Sequence, residues 1–179
     1  MAAAGIGVGS FYGLCEGKEE LLLVLFDDAL RDAEQSISEA IDGASASSWA
    51  DKVCVGLGEM LLLISKEPSR ARLVLIEVQT AGVDAFRRYE TVLGAAAQFL
   101  ASGRETEVAP PRLPASLEQT TVTGIAWLLH RYLSLGKAAS VPDLFEELAQ
   151  LALEPYLGED GARESISQHL VARSAQPAG

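Results

Sequence analysis

The sequence predicts an all-α protein built as a helical bundle, and two observations lead to this prediction. Apolar residues recur at steps of three and four along most of the chain, the spacing that places them on one helix face. Glycine and proline separate these stretches at intervals typical of helices. The strand-like run LVLIEV at 73–78 has no second β-rich run to pair with, so we interpret it as buried helix.

Four helices are predicted in the first part of the chain, over residues 18–41, 49–66, 69–81 and 83–102. Gly43 is placed to stop the first helix. Ser48 is a suitable N-cap for the second, and Asp51 favours its start through the helix dipole. Pro68 suits the first turn of the third helix, and Gly103 suits the C-cap of the fourth.

The rest of the chain begins with a predicted loop over 104–115, which contains charges and three prolines. Ser116 with Gln119 three residues later has the pattern of a capping box and opens the next helix. Helices are predicted over 116–135, 142–156 and 159–172, followed by a frayed tail at 173–179. Pro155 is expected to kink or end its helix.

The composition indicates a single globular core. Of the 179 residues, 49% are hydrophobic and 22% are charged, and disordered chains lack this much apolar content. The longest apolar runs are far shorter than the ~18 residues that a membrane-spanning helix needs, and the N-terminus lacks the pattern of a signal peptide. Two cysteines, Cys15 and Cys54, are too few for a disulfide framework, so we interpret both as apolar thiols in a reducing, cytoplasmic location.

Residues 4–21 read AGIGVGSFYGLCEGKEEL and carry the strongest motif. Ala4 and Gly5 fit the corner of a helix-turn-helix unit, because glycine takes the left-handed conformation and a small residue permits close helix approach. Residues 9–12 would then open a recognition helix. Lys18 begins the next helix, where its backbone amides and its ammonium group can both meet a phosphate.

This segment resembles the recognition segment of the TetR/AcrR family of bacterial transcriptional regulators. Nine positions match the family pattern, namely Ala4, Gly5, Gly9, Ser10, Phe11, Tyr12, Lys18, Glu19 and Leu21. The resemblance implies a remnant of a helix-turn-helix domain at 1–17. The residues that it implies contact DNA are Gly9, Ser10, Phe11, Tyr12 and Lys18. It also implies an effector-binding and dimerisation domain at 18–172.

The resemblance implies a repressor that binds operator DNA as a homodimer and is released by a small, apolar effector. Two observations oppose complete DNA reading. Members of the family have two helices before the turn, whereas only Met1–Ala4 precede it in this sequence. The net charge of −11 also disfavours binding to nucleic acid. The alternative is a dimeric small-molecule-binding module of the same lineage that does not read DNA.

Glu77 is a charge within an otherwise apolar stretch, so we expect it to be buried. A buried carboxylate must be paired or hydrogen-bonded. An arginine such as Arg87, Arg88 or Arg131 is one candidate partner, and a role as the polar anchor of a ligand pocket is the other.

Aromatic side chains at helical spacing supply the remaining candidates for ligand binding. Phe86 and Tyr89 share one helix face, Phe99 lies further along the same helix, and Trp127 and His130 share a face of the next. Such residues either form core or line an effector cavity.

The helix over 117–135 is apolar nearly all round, which predicts two buried faces. The following helix has a similar apolar surplus. A symmetric dimer explains both, and the alternative is a core formed entirely within one chain. The candidate interface residues are Gly124, Leu128, Leu144, Leu148 and Leu151.

The sequence gives no support for an enzyme, a cofactor or a metal site. It lacks a Ser-His-Asp pattern, an H-E-x-x-H motif and a C-x-x-C motif. Asp27, Asp28 and Asp32 are expected to form a solvated acidic face, with Arg31 four residues from Asp27 and able to pair with it.

Overall fold

The computed structural model describes residues 17–175, and its regular elements in that range are all helical. The α-helices are α1 (Lys18–Gly43), α2 (Trp49–Lys66), α3 (Pro68–Leu75), α4 (Val83–Ala101), α5 (Leu117–Ser134) and α6 (Phe145–Ala175). Short 3-10 helices lie at Glu77–Thr80, Ser102–Glu105, Ala138–Ser140 and Pro142–Leu144. The all-α prediction is confirmed for this range. None of the helices described is both long enough and apolar enough to cross a membrane.

The start of α2 follows the sequence closely. The Ser48 hydroxyl accepts a hydrogen bond from the Asp51 backbone N–H at 3.0 Å, and the Asp51 carboxylate accepts one from the Ser48 N–H at 3.0 Å. Two of the unpaired N–H groups at the helix end are therefore satisfied reciprocally. The predicted N-cap is confirmed.

The third predicted helix is shorter than expected. It ends at Leu75, because Ile76 leaves the helical region at φ −122° and ψ −61°, and the chain continues as the 3-10 helix Glu77–Thr80. The tighter turn buries Val78 completely. The run at 73–78 is thus helical in two pieces, without a strand.

Two local predictions in the C-terminal half were wrong. Ser116 makes no side-chain cap, at φ −93° and ψ 4°, because its ψ is far from the extended value that capping needs. The chain continues as helix through Pro155, which was expected to kink or end it, and breaks at Gly158, where φ is 73°, between the helices predicted at 142–156 and 159–172. Glycine adopts this left-handed conformation without steric cost, so the kink forms there. The helix then extends to Ala175, into the predicted tail.

Two clusters of buried apolar side chains form the core. The larger one joins α2, α5 and α6, and its fully buried members include Leu61, Leu129, Leu133, Leu148, Leu153 and Tyr156. The smaller one joins α1, α4 and the 3-10 turn through Phe26, Val78, Ala85, Tyr89 and Leu93. Leu75 and Val122 pack against both clusters. Along this boundary the two clusters leave a groove.

Candidate functional site: an apolar groove

Five helices border a groove with a volume of about 530 Å³. Its lining includes Leu30 and Ala33 of α1, Met60 of α2, Val74 of α3, Val92 of α4 and Ile125 of α5. The volume lies within the ~300–1,000 Å³ typical of small-molecule pockets, and a largely apolar lining is also typical of them.

The wall that α1 contributes follows from its sequence pattern. Leu30, Ala33 and Ile37 recur at steps of three and four, so they share one face, and all three are half-buried. The small side chain of Ala33 leaves space that a larger residue would fill. Ala71 of α3 and Ala126 of α5 also border the groove.

Charged residues border the groove at its edge, and they connect α1 to α3. Arg70 of α3 lies 2.5 Å from Asp32 and 3.4 Å from Asp28, both in α1, and 3.2 Å from Glu67. The hydrogen bonds to Asp32 and then Glu67 raise the pKa of Arg70. These side chains are 39–54% exposed, so each pair adds only ~0–1 kcal/mol of stability.

The acidic residues of α1 have other partners than the sequence predicted. Arg31 pairs with Asp28 at 3.0 Å rather than with Asp27. Asp27 instead pairs with Arg88 of α4. Spacing along one helix identifies only partners within that helix, so this ion pair between two helices was not predicted. As a result α1 is held by ion pairs to both α3 and α4.

Among the predicted ligand-binding residues, Tyr89 borders the groove. It is 7% exposed, and its hydroxyl has no hydrogen-bond partner in the part of the chain that the structure describes. Burial and then the charge of Glu90 raise its pKa, so the hydroxyl stays protonated and able to donate.

The other candidates lie outside the groove. Glu77 is exposed, so the expected buried carboxylate was wrong; the helix break at Ile76 turns Val78 inward instead. Phe86, which was predicted to share one helix face with Tyr89, is 46% exposed and does not border the groove. A step of three residues offsets the two side chains by about 60° around α4, so Phe86 lies on the flank of the helix. Phe99 is 45% exposed in the same helix.

The aromatic pair predicted on α5 also lies away from the groove. Trp127 is 60% exposed, and the guanidinium of Arg131 lies 5.8 Å from its ring centroid. This distance suits a cation–π contact. His130 is half-buried.

The predicted dimer residues divide between surface and core. Gly124 is exposed, with nothing within 4 Å of the position that a side chain would take, and Leu151 is 49% exposed. Leu128 is half-buried. Leu144 and Leu148 are 7% and 1% exposed, so they are unavailable to a partner. The expectation for these two was wrong, because Leu144, at the end of the 3-10 helix Pro142–Leu144, and Leu148 of α6 both pack into the larger core cluster within the same chain.

A buried carboxylate that the sequence did not reveal lies at the far end of the bundle. Glu118 accepts hydrogen bonds from Arg104 at 2.6 and 3.0 Å and from the Tyr156 hydroxyl at 2.8 Å. The bond from Arg104 is the main cause that lowers its pKa to about 2, against the opposing effect of burial. Acidic residues are common in the first turn of a helix, because the helix dipole stabilises them there. The position of Glu118 in the sequence therefore did not indicate that its side chain is buried.

A second, more polar groove of about 470 Å³ lies between the end of α1, α2 and the last part of α6. His169 borders it, and its Nε2 atom is buried without a hydrogen-bond partner. Cys54 of α2 is fully buried, and this burial raises the pKa of its thiol to about 12. Within the described range no cluster of three or more His, Cys, Asp or Glu side chains is arranged to hold a metal ion.

Most of the predicted DNA-contacting residues, Gly9, Ser10, Phe11 and Tyr12, lie outside the described residues. Lys18 begins α1 as predicted. No family model, curated protein or solved structure matches this chain in comparisons with known proteins. The groove and the N-terminal motif are therefore the observations that bear on function.

Proposed function

We propose that this protein is a ligand-responsive transcriptional regulator of the TetR type, whose effector binds in the apolar groove. The observation that carries the proposal is the position of α1. This helix starts directly after the segment that resembles a recognition helix, and it forms one wall of the groove. A molecule in the groove would therefore contact the element that leads into the DNA-binding segment.

The mechanism is a shift between two positions of α1. Ion pairs from Arg70 and Arg88 hold α1 to α3 and α4 on the outside of the bundle. These exposed pairs contribute little stability, so they can exchange at small cost. A ligand that fits one position of α1 better than the other shifts the population by its difference in affinity. Displacement of α1 would change the spacing of two recognition helices against the operator half-sites.

The dimer that this mechanism needs is proposed to form through the exposed face of α5. Gly124 and Trp127, three residues apart, share that face, and the missing side chain at Gly124 permits close approach of a second copy. Sedimentation velocity tests it. Trp127→Glu should shift the protein from dimer to monomer, whereas Phe86→Glu, at a similarly exposed aromatic of α4, should leave the dimer intact.

A titration with an apolar probe tests the groove. We expect decanol to bind with heat measurable by calorimetry, and Ala33→Phe to abolish this by filling the space beside Leu30. Ala95→Phe adds the same ring at an exposed position of α4 outside the groove and should leave binding unchanged. Circular dichroism of both variants checks that they fold. Equal binding by the two variants would contradict the proposed site.

Selection from a random DNA library tests the regulatory part. We expect an enriched palindromic sequence whose affinity falls steeply with salt and falls again when the groove is occupied. The second candidate function is a dimeric small-molecule-binding module without DNA binding, and the net charge of −11 favours it. Groove binding without any enriched DNA sequence would select this second function.

A further inference from the structure

The charged residues at the edge of the groove are unbalanced in favour of carboxylates. Asp32, Glu34 and Glu67 border it, against the single guanidinium of Arg70. Arg70 is already bound by Asp32 and Glu67. Glu34 has no ion-pair or hydrogen-bond partner among the groups that the structure describes. An unneutralised negative charge therefore lies at the entrance to an apolar site.

Two further features increase this negative potential. Glu59 lies just beyond the lining and accepts a hydrogen bond at 2.8 Å from Ser36, which borders the groove. The whole chain carries a net charge of −11. Low-dielectric walls focus the field of such charges into a cleft, and they attract ligands of the opposite sign.

We propose that the groove selects amphiphilic cations, molecules with an apolar tail and an ammonium or similar cationic head. The inference rests on the proposed function, because it assumes that the groove is the effector site. The tail lies among the side chains of α1, α2 and α5. The head lies at the edge, near Glu34 and Asp32, where the carboxylates stabilise its charge.

An anionic amphiphile of the same shape is disfavoured by the same charges. Its head would need Arg70, which is held by Asp28, Asp32 and Glu67 at distances of 2.5 to 3.4 Å. Freeing the guanidinium would leave those three carboxylates facing the anion. A neutral amphiphile meets neither the attraction nor the repulsion.

Isothermal titration with three probes of equal tail length tests the selection. Decyltrimethylammonium, decanol and undecanoate, which all carry a ten-carbon tail, are compared below the concentrations at which they aggregate. We expect the cation to bind about tenfold more tightly than decanol, equivalent to ~1.4 kcal/mol. Undecanoate should bind more weakly than decanol. The advantage of the cation should shrink as salt is raised, because ions screen the exposed carboxylates.

A matched pair of variants assigns the effect to the edge of the groove. Glu34→Gln should reduce the affinity for decyltrimethylammonium several-fold and leave decanol unchanged. Glu39→Gln makes the same substitution on α1 at an exposed position outside the groove, and should change neither affinity. Both positions are exposed, so both variants are expected to fold.

Each outcome bears on one proposal. Equal affinity for the cation and decanol, tighter binding of undecanoate, or an unchanged cation affinity in Glu34→Gln would overturn the selection for cations. In each of these cases decanol binding would leave the groove as the effector site. Failure of all three probes to bind would overturn the groove itself, and the proposed function with it.

Discussion

The Tyr156 hydroxyl of α6 donates a 2.8 Å hydrogen bond to the Glu118 carboxylate in the first turn of α5. Arg104 binds the same carboxylate and also donates to the Pro114 carbonyl at 2.6 Å, which fixes the loop between α4 and α5. The Tyr156 ring packs edge-on against Trp49 of α2, with centroids 4.9 Å apart. This cluster therefore joins α2, α5, α6 and the loop at one end of the bundle.

Removal of the Glu118 carboxylate should destabilise the fold more than removal of the Tyr156 hydroxyl, its neutral hydrogen-bond partner. Glu118→Ala leaves Arg104 without its charge partner and the Tyr156 hydroxyl unpaired, so we expect a loss of about 3 kcal/mol. Tyr156→Phe keeps the ring against Trp49 and should cost about 1 kcal/mol. Urea unfolding measures both. Glu147→Ala, at an exposed position of α6, is the control and should change stability by less than about 0.5 kcal/mol.

The same carboxylate should make stability depend on acid. The pKa of Glu118 falls from its ordinary 4.5 to about 2 on folding, chiefly through the hydrogen bond from Arg104. A group whose pKa is lowered by folding contributes stability above its unfolded pKa and loses it as the folded pKa is approached. We expect the free energy of unfolding to drop between about pH 4.5 and 2. In Glu118→Gln, urea titrations across that range should show a shallower slope.

Two glycines offer a direct test of packing around Trp49. A methyl group at Gly103 would lie 2.5 Å from the Trp49 indole, whereas one at Gly94 of α4 would have nothing within 4 Å. Gly103→Ala should therefore cost about 1–3 kcal/mol through overpacking. Gly94→Ala should instead stabilise α4 by up to about 1 kcal/mol, because alanine favours helix. Similar melting temperatures for the two variants would contradict the close approach.

The helices were largely predictable because their signals are local. The cap at Ser48 and the apolar face of α1 depend on residues within one or two turns. The break at Ile76 was missed, because what favours it is the burial of Val78 against α1 and α4. The position of this break depends on packing between segments that are distant in sequence, and no local sequence pattern indicates it.

The site was less predictable for the same reason. Aromatic residues were chosen as pocket candidates, and of these Tyr89 borders the groove. The groove is instead lined by aliphatic residues such as Leu57, Met60 and Val74, which look like ordinary core in the sequence. A cavity arises where side chains from five helices fail to meet. Their separation depends on the tertiary arrangement rather than on any one helix.

A last prediction concerns His169, whose Nε2 atom is buried without a hydrogen-bond partner beside Gly58 and Phe145. Burial, and then the charge of Arg173, lower its pKa below the ordinary 6.5, partly offset by Asp51. The unfolded chain therefore takes up this proton more readily, and stability present above about pH 6.5 is lost as pH falls below it.

His169→Leu removes both the titratable group and the unpaired nitrogen, so stability should fall less steeply just below pH 6.5. This pH range lies above the range in which Glu118 takes up its proton. At pH 7 the variant should be at least as stable as the parent, because no buried polar atom is left without a partner. His130→Leu, at the half-buried histidine of α5, should leave the His169-dependent slope in place. Thermal unfolding between pH 5 and 8 measures the three curves, and an unchanged slope in His169→Leu would assign the loss to other groups.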